Sequence, residues 1–129
     1  SAHGAAAADA YATIQRRVDA LAVVHRHHYA EMEENRGLEL KSVIGELASN
    51  IRATSASETA KLGITLNVEP VLVTQDVAVA VSFLLTELIE LAASVNPQAQ
   101  IGVSLRPVPD TETAVLRTSS PALVESEQL

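Results

Sequence analysis

The stretch GITLNVEPVLVTQDVAVAVSFLLTELIELAA, residues 63–93, changes its apolar period in mid-course. Ile64, Leu66 and Val68 alternate with polar residues, the pattern of a strand with one face buried. Pro70 interrupts the run, and Val71, Leu72 and Val73 continue it as a second short strand or the far arm of a bent one. From Gln75 the period becomes helical and holds to about Ser94. Thr74 stands where a hydroxyl accepts one of the free backbone N–H groups of the first turn, and Asn96-Pro97 ends the helix. Strand followed by a long helix places this chain in the α+β class, with its sheet beginning near Gly63.

The segments on either side extend that architecture. Downstream, QIGVSLR (100–106) and TAVLRTS (113–119) read as two antiparallel strands joined by the turn-rich PVPDTET. Upstream, residues 38–40 form a short extended piece. Leu40, Val43, Ile44, Leu47 and Ile51 then mark an amphipathic helix ending near Thr54, and the polar residues 53–59 form a loop. Between about Ala7 and Glu34 there is neither Gly nor Pro. There Tyr11, Ile14, Val18, Leu21, His25, His28 and Met32 recur at alternating spacings of three and four, the seam of a helix that packs lengthwise against another helix. Gly37, after Asn35-Arg36, supplies the left-handed residue that follows a helix end. No internal repeat is visible, and the tail after Ser120 carries no clear pattern.

Composition narrows the functions. With 129 residues the chain is one domain or a piece of one. Hydrophobic residues make up 47% and aromatic residues 2%, so the core is aliphatic. A formal charge of −7 with scattered Lys and Arg argues against a nucleic-acid surface, which needs clustered cations. No cysteine is present, which removes disulfides and thiolate metal sites and is compatible with the cytoplasm. The longest nearly apolar run, residues 77–85, falls short of the roughly 18 residues that suggest a membrane span, so no membrane contact is expected. No secretory signal is visible, and the alanine-rich start reads as a cut from a larger parent.

The string LAVVHRHHYAEM (21–32) contains three histidines within four positions. Metal binding on a helix requires ligands three or four residues apart. His25 and His28 meet that spacing, with Glu31 or Glu34 as a third donor, and His27 does not. Accepting a phosphoryl group requires an exposed imidazole, and His27, off the seam, is expected to be the most outward of the three. A packing or solvent-facing role outweighs both.

Several strings, in order, resemble the sensor histidine kinases of the HWE and related subfamily. They are DAYATIQRRVDALAVVHRHHY (9–29), LELKSVIGELASNI (38–51), the stretch quoted at the start, and QIGVSLR. The resemblance runs from about Asp9 to Leu116. It implies that residues 1–36 are a helix of a dimerisation and phosphotransfer bundle, and that 37–129 form a small ATPase-like α/β sandwich. The family's phosphoacceptor lies on a preceding helix, and His25 stands where the family commonly has a bundle histidine.

The resemblance also exposes two departures. The family's asparagine box, Asn-Glu-Leu-x-x-Asn-Ala, corresponds to Thr86-Glu87-Leu88-Ile89-Glu90-Leu91-Ala92. Glu87 matches, but the Mg²⁺-binding asparagine is Leu91, whose aliphatic side chain offers no oxygen to a hard cation. Glu90 sits about 100° around the helix from that position. The family's Asp-x-Gly-x-Gly element is replaced by LRTSSPAL (116–123), with neither Asp nor Gly. No cofactor or metal is therefore expected. The implied function is two-component signalling by a protein with a degenerate nucleotide site. It would act as a homodimer through its N-terminal helix that docks a response-regulator receiver, or as a phosphotransferase of the bacterial type with an ATPase-like domain. An active kinase fragment using Glu87, and a non-catalytic α+β interaction module, are the alternatives.

Overall fold

The computed structural model describes residues 2–31, 37–55, 63–96, 98 and 100–121. Its elements are α1 (Ala2–Glu31), β1 (Leu38–Glu39), α2 (Leu40–Ser55), β2 (Gly63–Val68), β3 (Leu72–Val73), α3 (Gln75–Val95), β4 (Gln100–Pro107) and β5 (Ala114–Ser119). The class is α+β, as expected. A three-stranded sheet, β2-β4-β5, and a two-stranded ribbon, β1-β3, share one core with three helices.

The stretch 63–73 resolves into two strands in two different sheets. β2 runs parallel to β4, with Ile64 opposite Ile101 and Val68 opposite Leu105. β3 turns away to pair antiparallel with β1, Leu38 opposite Val73. Pro70 between them has no N–H to continue a ladder, which is why the chain changes sheets there. Gly37 leads into the ribbon with φ of 87°, and a Cβ added there would lie 3.0 Å from the Val73 carbonyl oxygen. Both the left-handed backbone and the close approach require glycine. β4 and β5 form the expected antiparallel pair, Leu105 opposite Leu116. Their turn closes with Val108 N–H donating to Thr113 O at 2.9 Å and holds Asp110 at φ 61°.

The sheet's alternation sorts its faces. Ile64, Ile101, Val103 and Leu105 are buried against the helices, while Ser104, Arg106, Val115 and Arg117 share the opposite, outer face. α2 buries Leu40, Val43, Ile44, Leu47 and Ala48, the face its periodicity announces. Glu39 caps it, its carboxylate accepting from the backbone N–H groups of Lys41 and Ser42 and from the Ser42 hydroxyl. Burial raises the Glu39 pKa, but the Ser42 hydroxyl and the backbone donors outweigh it and hold the carboxyl below its ordinary value. α3 begins at Thr74, whose hydroxyl accepts from Val77 N–H, and ends at Asn96. It buries Ala78, Ser82, Leu85, Thr86, Ile89 and Ala92.

Two expectations need correction. α1 enters the core through Ala20, Val23 and Val24, not through the seam: Tyr11, Ile14, Val18 and Leu21 stand exposed. Small and β-branched residues on the opposite side of the helix let it lie close against α3 and α2. Secondly, although the apolar run at 77–85 is short, α3 as a whole is long and apolar enough to cross a membrane by length and composition. Here one side of it fills the core, and the acidic side chains of its second half are engaged by α1.

Candidate functional site

The segment matching the asparagine box, 86–92, lies in the middle of α3, and its helical phase decides what each residue meets. Thr86, Ile89 and Ala92 point into the core, with the Thr86 hydroxyl donating to Ser82 O at 2.8 Å. Glu87 and Glu90 face α1. Arg17 Nη2 donates to Glu87 Oε1 at 2.7 Å, and Arg16 Nε pairs with Glu90 Oε1. Leu91 is 49% exposed. A divalent cation at this position would meet an isobutyl group, flanked by two carboxylates already neutralised by guanidinium groups. The α1 sequence Arg16-Arg17 therefore takes up the acidic chemistry that the box retains. Sequence reasoning passed over these arginines because nothing local to α1 reveals which helix it crosses.

The histidines separate differently from their sequence spacing. His27, expected to face outward, is half-buried between α1 and α2, its Nε2 2.7 Å from Glu46 Oε2. Arg26 Nη2 donates to Glu46 Oε1 at 2.5 Å, so one carboxylate of α2 ties down two consecutive residues of α1. The Arg26 hydrogen bond holds the Glu46 carboxyl below its ordinary value; partial burial opposes this and His27 adds to it. His25 lies on the exposed side and His28 is intermediate. The Glu31 side chain and Glu34 lie outside the described residues. Among the described residues no group of three or more His, Asp or Glu side chains is placed to hold a metal ion.

The strand carrying LRTSS ends at Ser119, with Ser120 buried behind it; Ala122 and Leu123 lie outside the described residues. On the outer face of the β4–β5 pair a shallow cleft of about 450 Å³ is bordered by Ser104, Arg106, Val108, Val115 and Arg117. Arg106 reaches Glu69 at 3.4 Å. The two arginines border the same cleft because Ser104 pairs with Arg117 and Arg106 with Val115, a register the sequence alone does not specify.

No family model matches the sequence, and no curated protein matches it either. Among solved structures, the histidine kinase domain of a blue-light-activated histidine kinase from Erythrobacter litoralis is similar, with a TM-score of 0.65 and 20% identity. The similarity covers 84% of this chain and 52% of that one, so the chain spans about half of its structural neighbour. A long helix packed against two others, the second long one lying between strands in the chain, with a small mixed sheet in the same core, is thus a histidine-kinase-like fold.

Proposed function

We propose that this chain is a histidine-kinase-like component of two-component signal transduction whose nucleotide site is degenerate. In this reading residues 1–36 contribute to a dimerisation and phosphotransfer bundle, and 37–129 form the degenerate ATPase-like sandwich. The protein works in the cytoplasm by dimerising through α1 and docking a response-regulator receiver, or by passing a phosphoryl group to or from one. Two observations support it: the similarity to a histidine kinase domain, and the resemblance of the strings to the HWE and related sensor kinases.

One observation carries the loss of nucleotide chemistry. Leu91 presents no oxygen where Mg²⁺ is held in that family, and the neighbouring Glu87 and Glu90 are paired with Arg17 and Arg16. A carboxylate held by a guanidinium is a poor general base, and without a positioned nucleotide it has no proton to remove. Thermal unfolding with and without ATP and Mg²⁺ tests this. A ligand at a hundred times its Kd stabilises a fold by ~2.7 kcal/mol, which a melting curve resolves readily. The expected shift is nil; a saturable rise in melting temperature would restore the active-kinase reading, with Glu87 as its catalytic carboxylate.

The phosphotransfer variant needs an acceptor imidazole. On this chain the sequence offers His27, but its imidazole is half-buried with Nε2 against Glu46 Oε2, so that nitrogen attacks a phosphoryl group only once the contact opens. Incubation with a phosphorylated receiver domain should give acid-labile phosphohistidine if it serves, and His27→Gln should abolish the signal. Receiver binding with no transfer would leave docking as the function.

A further inference from the structure

The arginines on the helical side of the molecule are engaged: Arg16, Arg17 and Arg26 pair with Glu90, Glu87 and Glu46, and Arg52 donates to the Ile64 carbonyl. Arg106 and Arg117 differ. Both stand exposed at the cleft on the outer face of the β4–β5 pair, on the side of the sheet opposite the helices. Among the described residues Arg117 has no acidic partner, and Asp110 and Glu112 of the adjoining turn pair with neither arginine. Arg106 has Glu69 at 3.4 Å, with 57% and 49% of the two side chains exposed. So long and open a pair holds weakly. In a chain of net charge −7, the cleft is a local reversal of sign.

Its lining is mixed and stiff. Val108 and Val115 supply apolar walls together with Pro107 and Pro109, and Ser104 places a hydroxyl in the row between the arginines. The prolines fix φ. The turn is tied by Val108 N–H donating to Thr113 O and by the Thr111 hydroxyl donating to Val108 O, both at 2.9 Å. A ligand seated here therefore orders little besides the two arginine side chains. Register sets their spacing. Arg106 lies opposite Val115, two residues from Arg117, and such diagonal neighbours are about 7–8 Å apart. In an extended peptide, residues i and i+2 project on one side about 6.7 Å apart.

We propose that this cleft binds an extended segment of a partner protein carrying two acidic side chains two residues apart, with aliphatic residues beside them. The two carboxylates take the planar guanidinium groups of Arg106 and Arg117, and the aliphatic neighbours lie on Val115 and Pro107. Glu69 occupies Arg106 until a carboxylate of the segment replaces it. The shallowness of the cleft favours a peptide over a free small acid, because small-molecule pockets bury most of their ligand. Net charge selects a short segment over a polyanion: nucleic acid or an anionic membrane brings many charges against the rest of an acidic surface, and the segment brings two. The inference stands apart from the signalling reading, since it uses neither α1 nor the box segment of α3.

Fluorescence anisotropy of a labelled Val-Glu-Val-Glu-Val peptide, titrated with the whole chain, tests the proposal. Saturable binding is expected, with none for Val-Gln-Val-Gln-Val. Arg117→Gln should weaken binding at least ~tenfold, the loss of hydrogen bonds to a charged group, and leave the thermal melt unchanged at this exposed site. Arg117→Lys, which keeps the charge without the planar fork, should weaken it less. Glu69→Gln should strengthen binding severalfold by freeing Arg106, whereas Asp76→Asn, an equal charge change at the exposed start of α3, should not. No saturable binding, equal binding of the glutamine peptide, or an unaltered dissociation constant for Arg117→Gln would each overturn the proposal. So would tighter, Arg117-dependent binding of an oligonucleotide or of phosphatidylserine vesicles. Displacement of the peptide by equimolar glutarate would assign the cleft to a small dicarboxylate and overturn it likewise.

Discussion

Helices α1 and α2 were legible by the same rule and obeyed it in opposite senses. In α2 the periodic residues Leu40, Val43, Ile44 and Leu47 turn inward. In α1 the more regular period, Tyr11-Ile14-Val18-Leu21, turns outward, and Ala20, Val23 and Val24 make the internal contact. A hydrophobic period announces a face that must be covered, but not what covers it. α2 is 16 residues long and has a sheet and two helices within reach of its apolar face. α1, at 30 residues, is long enough to carry two apolar faces along separate stretches of its surface, one for its own domain and one left over.

Substitutions that distinguish these faces break or sharpen the contrast. The largest effect is expected on the inner face of α1: Val23→Asp places a charge at a fully buried site and should cost at least ~3 kcal/mol, enough to unfold a marginal domain. Chemical denaturation would register it, and a near-wild-type midpoint would show that α1 is not part of the core. Next is Ile44→Ala on α2, with an expected loss of about 2–5 kcal/mol from transfer and cavity terms. On the outer face, Leu21→Glu should leave the denaturation midpoint within ~0.5 kcal/mol of wild type and act on association instead. Light scattering at high concentration should then report a monomer; an unchanged mass would remove α1 from the interface.

Smaller effects probe the polar links between the helices. Glu46→Gln removes the anion shared by Arg26 and His27 and should cost less than ~1 kcal/mol, as partly exposed pairs do. Its pH dependence has a definite sign. The folded carboxyl titrates below its unfolded value, so its contribution is present above the ordinary carboxylate range and fades as pH falls through the depressed folded pKa. Glu46→Gln should accordingly flatten part of the acid limb of the stability curve and leave the neutral region nearly unchanged. Smallest of all, Glu87→Ala should alter stability by no more than ~1 kcal/mol. Kinase turnover abolished by that change would contradict the degenerate-site reading directly.

The asparagine-box segment shows a similar division. Its departure from the family pattern at Leu91 is visible in the sequence, because a ligand atom is either there or not. That Glu87 and Glu90 are engaged by Arg17 and Arg16 is not visible, because the pairs join residues 70 and 74 positions apart. His27 was misplaced for the same reason. Counting around α1 puts it off the seam, and only the crossing of α2 reveals that off the seam means toward Glu46.

Local physics set the elements of this protein. Chain propensity, the Thr74 cap, the Pro70 interruption and the left-handed Gly37 act within a few residues of themselves, so the order of helices and strands follows from reading along the chain. The assignment of faces belonged to tertiary structure alone. Which strand Leu72 and Val73 join, which side of α1 is inside, and where its arginines find their anions depend on docking between segments distant in sequence, and that docking is decided by shape and burial that no local pattern encodes.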